Sequence, residues 1–501
     1  MSSVVKLIPR LIDSEEFEAI LRDACAMLPI GLEGVWAAAA PAILLRRWVP
    51  ATPAFTEHYF LVVSKGSDGS LRAFIRNPES NWGASVGART LVASGDGVAL
   101  RASGEPEIPG SMNPDETITF RKVSASETDL TFRRATPGDL QWFYPLPTTR
   151  WKYREPKDEA DGWLVGTLQT AGMHEEPIAA VMNAIAALRA PELRSPYIQS
   201  IAVARNGTLV LDQYFYGFSA AQPHDVRSAG KSVTTLMTGR AIADTNAFSP
   251  SSRLLSVLRR YLPVRNDDAR KERITVADLM TMSSGLACDD NDDASPGNED
   301  AMQNQPAGTD WYRYTLDLPM AYEPGTRAVY CTAGINLLGA VIETATGIPL
   351  DRYFYDRFAI PMQFGSYAMW LMPPPARSAY VGGGDFIRPR DFLKFAELIL
   401  DAGRWHERQI VDAAWIAQSI VPRSAPEGEG DRYGYGWHLS RVDVDGRTYE
   451  VVNAGGNGGQ LAIAVPSLGV AIMVTAGNYG QYPVWRSFLP EIVTAVVRSC
   501  R

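Results

Sequence analysis

The chain has 501 residues, 46% of them hydrophobic and 21% charged, with a formal net charge of −8. At ~100–200 residues per domain this length predicts more than one domain. The acidic balance, with no Lys/Arg cluster, excludes nucleic acid as the main partner, because phosphate binding needs a basic footprint.

The opening stretch is broken by Pro9, Arg10 and Asp13 too early for a secretory signal. The apolar run ending at Leu45 is far short of the ~20 residues that span a bilayer. Arg46 and Arg47 close it, so it reads as a buried segment and no membrane partner is expected. Cys25, Cys288, Cys331 and Cys500 are far apart, with no C-x-x-C pair. That spacing predicts a reducing compartment, with neither a disulfide frame nor a zinc site. The histidines are scattered without ligand spacing, so no metal and no cofactor are expected. A cytoplasmic location is the resulting expectation.

In chain order, Leu11, Phe17, Ile20, Leu21 and Cys25 recur at helical intervals and predict a short helix over 10–28. From 58 the pattern changes to short β-type runs, "HYFLVV", "LRAFI", "RTLVAS", "VALRAS", "TITFRKV" and "DLTFRRA", separated by turn residues. They predict an antiparallel meander, and residues 1–150 an N-terminal β-rich α+β unit of unassigned role. The Pro- and charge-rich stretch 151–162 reads as a linker. A second domain over 163–501 follows, opening with a helix near 177–189. Next, "SIAVARNGTLVLDQYFYG" (200–217) holds Asn206-Gly207 between apolar alternations, the strongest short hairpin signal. Helical patterns dominate from 228 to about 360, and strand patterns return between 434 and 477. Strands at both ends with helices between them predict an α+β fold, one antiparallel sheet with a helical insertion.

Three short motifs carry candidate chemistry. Gly83-Ala84-Ser85-Val86-Gly87 matches G-x-S-x-G but lacks the strand before and helix after that a nucleophile elbow requires, so it reads as a turn. The acidic stretch "CDDNDDASPGNED" (288–300) lacks the ligand order of a calcium loop and reads as solvated. If it borders an active site, Asp289, Asp290, Asp292 and Asp293 would favour a cationic substrate group. The third is Ser228 and Lys231, which open a helix marked by Val233, Leu236, Met237 and Ile242. Residues three apart share a helix face, so the amine reaches the hydroxyl. A helix start also leaves N–H groups free to meet developing negative charge. A buried lysine gives up its proton readily and serves as a base. The pair alone is weak: Ser3 and Lys6 repeat it in the tail.

Its company is specific. "ITVADLMTMSSGL" (274–286), "EPGTRAVYCTAGINLLGAVIE" (323–343), "GGGDFIRPRDFLKFAELIL" (382–400), "YGYGW" (433–437) and "NAGGNGGQLAIAVP" (453–466) follow in order. Over about 160–500 the chain resembles the serine β-lactamase-like hydrolases, which include class C β-lactamases, family VIII esterases, DD-peptidases and 6-aminohexanoate-dimer hydrolases. The resemblance implies Ser228 as acylated nucleophile, Lys231 as base and Tyr330 as proton carrier. It places the oxyanion at the N–H groups of Ser228 and Gly456. Thr332, Asn453, Gly455, Asn457 and Gln460 fall at substrate-binding positions. Thr332 stands where the family often has Asn, and Asn453 where it has Lys or His. Both departures, with no signal peptide read, argue against β-lactamase or peptidase activity. The implied function is cleavage of a small-molecule ester or amide. The alternatives are an acyltransferase using the same acyl-enzyme, or a binding or scaffold protein. Trp311, Tyr312, Tyr314, Tyr435 and Trp437 are candidates for a pocket wall or for core. A homo-oligomer stays open.

Overall fold

The structure is a computed structural model that describes residues 34–41, 56–79, 87–94, 97–121, 129–146, 150–188 and 194–501. The helix expected over 10–28, Cys25 and all but the last glycine of the G-x-S-x-G stretch lie outside them. No single helix among the described residues is long and apolar enough to cross a membrane.

The N-terminal strands close on themselves. β1 (Gly34–Pro41), β2 (Thr56–Lys65), β3 (Leu71–Arg76), β4 (Arg89–Ser94), β5 (Gly97–Arg101), β6 (Ile108–Met112), β7 (Ile118–Phe120) and β8 (Leu130–Arg134) pair in sequence. β1 also pairs antiparallel with β8, so the expected meander is a closed barrel. Alternation sets its inside: in β8, Leu130 and Phe132 are buried while Thr131 and Arg133 face out. Side chains such as Tyr59, Leu61, Ile75, Leu91, Phe120 and Phe132 fill it as one core cluster. The Ala-rich run that begins in β1 is therefore a strand up to Pro41.

The barrel rests on the rest of the chain. Phe60 meets Phe143 edge-on with ring centroids 4.9 Å apart. Gln199 Nε2 donates to Pro78 O at 2.6 Å. The stretch read as a linker is fastened down. Arg390, 1% exposed, pairs with Asp161 and donates to Lys157 O, and Trp163 Nε1 donates to Arg390 O.

The second sheet comprises β9 (Leu164–Val165), β10 (Ile198–Arg205), β11 (Thr208–Tyr214) and, after the helical region, β17 (Arg432–Tyr433), β18 (His438–Val444), β19 (Arg447–Gly456), β20 (Gln460–Val465) and β21 (Val470–Ala476). The intervening short strands are β12 (His224–Asp225), β13 (Ala368–Met369), β14 (Asp385–Ile387), β15 (Arg404–Trp405) and β16 (Arg408–Gln409). The sheet order β17-β18-β19-β20-β21-β10-β11-β9 brings the two ends of this region together through β10 and β21. Asn206 and Gly207 take φ 49° and 78°, the positive values a two-residue hairpin needs. With helices against this sheet and the β-rich barrel beside it, the fold is α+β, as expected.

The expectation of unpaired cysteines fails. Cys288 and Cys331 form a disulfide, with Cα atoms 5.4 Å apart across 43 residues of sequence. Spacing along the chain carried no sign of this contact, because the fold brings the residues together. The argument for a reducing compartment rested on unpaired cysteines and loses that support.

Candidate active site

Ser228 sits in a 3₁₀ turn, Arg227–Ala229, that runs into the helix Gly230–Thr245. The helix is buried on nearly every side, so its polar residues need internal partners. Thr234 Oγ1 donates to Val381 O at 2.8 Å, Thr235 Oγ1 to Tyr435 O at 2.8 Å and Ser232 Oγ to Gly436 O at 2.5 Å. These bonds fix the helix against the segments carrying the later motifs. Just before the nucleophile, Arg227 takes φ 50°, a left-handed conformation that costs a non-glycine residue about 1–2 kcal/mol. Asp225 holds it there: Oδ1 accepts from Arg227 N at 3.0 Å and Oδ2 pairs with Nε at 2.7 Å.

Lys231 is 1% exposed. Its Nζ lies 2.8 Å from Ser228 Oγ and donates to Gly382 O at 2.7 Å. Burial holds the amine below the usual lysine range, against the opposing charges of Glu299, Asp290 and Glu429. Tyr330, also buried, stands beside this pair: Ser228 opposes the upward push on its phenol, and Lys231 Nζ lies 5.1 Å from the centre of its ring. Burial first, then neighbouring Tyr433, pushes the phenol well above its ordinary value. The segment before Tyr330 makes no strand ladder. Cys331 caps the helix Thr332–Thr346 instead.

The end of β19 closes against the nucleophile turn. A Cβ on Gly456 would lie 2.1 Å from Val226 O and 3.2 Å from Ala229 N. Only glycine fits this approach. Asn453 and Gly455 lie on the same strand end, with Asn453 opposite His438 of β18. Asn457 Oδ1 accepts from Gly480 N at 2.8 Å, which ties the β19–β20 turn to the loop after β21. Gln460 is fully buried with Nε2 donating to Ala476 O, so it braces the turn rather than facing the nucleophile. Thr332 is fully buried at the helix start, with its N–H on Asp290 Oδ2 at 2.8 Å. The aromatic candidates Trp311, Tyr312, Tyr435 and Trp437 are core side chains, and Tyr314 packs against them.

Sequence reasoning missed several neighbours. The acidic stretch is not simply solvated, since Asp290 and Glu299 both act on Lys231. Burial lifts the Asp290 carboxyl to about 6, with Lys231 opposing. His438 is buried and pushed down to about 4 by that burial and by Lys231 and Arg486, so it is neutral at pH 7. Glu429 is pushed up by burial, opposed by Arg486 and Lys231. The carbonyl of Gly382 opens the quoted GGG run, and no side-chain signal points to it.

Beneath the nucleophile turn, Asp385 is 3% exposed, and a Cβ on Gly230 would lie 2.5 Å from its Oδ2. Burial, then the charge of Asp225, lifts Asp385 from 3.8 to about 7. The folded chain therefore keeps a proton that the unfolded chain releases, and stability falls as pH rises from about 4 to about 7. Asp385→Asn, which mimics the protonated form, removes this penalty. Its melting temperature relative to wild type should climb across that window and then level off. A constant difference from pH 4 to 8 refutes the assignment.

The family model described as Beta-lactamase matches residues 198–482, more than half of the chain. A protein of Escherichia coli (strain K12), provisionally named D-alanyl-D-alanine carboxypeptidase, is 26% identical over 146 residues, 28% of this chain and 32% of that protein. The chain thus spans about a third of the length of the curated relatives it matches. Among solved structures, a provisionally named β-lactamase from Bacteroides dorei DSM 17855 is similar with TM-score 0.51 and 18% identity, covering 65% of this chain and 99% of that one. A mutant of the simvastatin synthase from Aspergillus terreus is similar with TM-score 0.51 and 16% identity, covering 66% and 98%. At these identities the likeness is one of fold.

Proposed function

Since the chain belongs to the Beta-lactamase family, we propose that it is a serine hydrolase that cleaves a carboxylic ester or amide of a small molecule through an acyl-enzyme on Ser228. The observation that carries this reading is the 2.8 Å approach of the buried Lys231 Nζ to Ser228 Oγ, with the buried Tyr330 beside the pair. Ser228 is the partly exposed member of this trio, so it is the one a substrate reaches.

In the proposed cycle Lys231 acts from its deprotonated form, which burial favours, and takes the proton of Ser228 as Oγ attacks the carbonyl carbon. The oxyanion forms between the N–H groups of Ser228 and Gly456, where donors held in place by packing need no reorganisation. Tyr330 stays protonated at neutral pH because of its burial, and relays a proton to the leaving oxygen or nitrogen. Water then attacks the acyl-enzyme and the proton path runs in reverse. With an alcohol or amine as acceptor, the same steps give acyl transfer. Asn453 and the neutral His438 supply no charge of their own at that end of β19, and the cations that act there are Lys231 and Arg486.

The test is intact mass after brief mixing with p-nitrophenyl esters or a fluorophosphonate. Wild type should gain one adduct and Ser228→Ala none. Labelling of neither protein sinks the acyl-enzyme and favours a binding role for this fold. An adduct on both moves the nucleophile elsewhere.

A further inference from the structure

Tyr330 reaches Ser228 only if its backbone is held, and what holds it comes from another part of the chain. Asp290 lies in the acidic stretch, and its N–H donates to Tyr330 O at 2.9 Å. Its Oδ2 accepts from Thr332 N at 2.8 Å, and its Oδ1 accepts from Glu299 N at 2.9 Å. Two residues before Asp290, Cys288 is bonded to Cys331, which sits between Tyr330 and Thr332. The segment 330–332 is thus joined to 288–290 by two hydrogen bonds and one covalent bond. The carboxylate also meets the N-terminus of the helix Thr332–Thr346, where negative charge is favoured. It acts in addition on Lys231, together with Glu299 and Glu429.

Building on the acyl-enzyme reading above, we propose that Asp290 is a positioning residue of this site: it fixes the Tyr330–Thr332 turn and adds, after Glu299, to the negative charge that faces Lys231. The two roles separate chemically. An Asn at 290 still offers an oxygen to Thr332 N but brings no charge to Lys231. An Ala offers neither.

The groups facing Lys231 are Asp290, Glu299 and Glu429, with Tyr330 and the neutral His438 beside them. Asp290 itself faces Lys231 and Glu299. Removing its charge withdraws support from the protonated amine, so Lys231 loses its proton at lower pH. The acid limb of the kcat/KM profile, read with a p-nitrophenyl ester, should move down by about one pH unit in Asp290→Asn. In Asp290→Ala, kcat should fall about 10²-fold with KM little changed, as expected when a reacting group drifts from its position. Fluorophosphonate labelling of Ser228 is run alongside. If wild type is labelled but the acid limb of Asp290→Asn does not move, the proposal is overturned while the acyl-enzyme stands. That holds even if Asp290→Ala is weakened, since the effect is then structural only. If wild type itself takes no label, the acyl-enzyme reading fails and this proposal with it.

Discussion

Lys231→Met is expected to lose about 10⁴-fold in kcat/KM toward a p-nitrophenyl ester, the upper range for removing a general base. The stem of Met fills the space of the Lys stem, and no charge remains to be desolvated. What is lost is the amine at 2.8 Å from Ser228 Oγ and the donor to Gly382 O. A lost buried hydrogen bond costs about 1–3 kcal/mol. Relief from burying an ammonium offsets it. Asp290 and Glu429 lose a cation that holds their carboxyls down, and they take up protons at higher pH rather than stay charged and unpaired. The melting temperature should therefore stay within about 4 °C of wild type, judged from the size of the domain. The pair of measurements is needed together. A collapse in both rate and melting temperature would mark Lys231 as a structural group. Near-normal turnover with a normal melting temperature would remove it from the chemistry.

Gly456→Ala should cost about 10²–10³-fold in the acylation rate, the range for loss of one oxyanion donor. The added methyl would lie 2.1 Å from the carbonyl oxygen of Val226, inside any tolerable contact, and the neighbour is backbone. Either the end of β19 or the turn carrying Ser228 must shift, and both carry proposed oxyanion N–H groups. Gly455→Ala is the comparison on the same strand, and because Gly455 falls at a substrate-binding position both variants are read at saturating ester. Its new methyl would meet Asn453 Oδ1 at 3.3 Å, a side-chain atom that can give way. Single-turnover acylation of the two variants should differ by at least tenfold. Equal rates would mean the oxyanion is held somewhere other than between Ser228 and Gly456.

Much of this was readable in the sequence where the determinant is local. Asn206-Gly207 announces its hairpin because few residues accept positive φ at two successive positions. The helix after Ser228 is legible from its apolar spacing, whereas Tyr330 stands out only through the resemblance to the serine β-lactamase-like hydrolases. What escaped depends on contacts between distant segments. Barrel closure needs β1, an Ala-rich run, and β6, "IPGSM", neither of which shows the apolar alternation of its neighbours. The Cys288–Cys331 bond and the approach of Asp290 to Lys231 arise only once the 288–300 stretch is laid across the start of the helix Thr332–Thr346. The burial of Gln460 likewise follows from its strand lying between β19 and β21, which a motif position does not reveal.

The helix that follows the nucleophile turn and carries Lys231 has almost no solvent-facing side over its first ten residues. Amide protons in such an element exchange with solvent only when the surrounding domain opens as a whole. Local fluctuation therefore has little access to Lys231, and adaptation to different substrates falls to what surrounds the site: the acidic stretch, the β19–β20 turn and the loop after β21. In evolutionary terms the chemistry sits on the least negotiable part of the molecule and selectivity on the most negotiable. Changes that redirect this protein to a new acyl group should accumulate in those loops while the helix stays as it is.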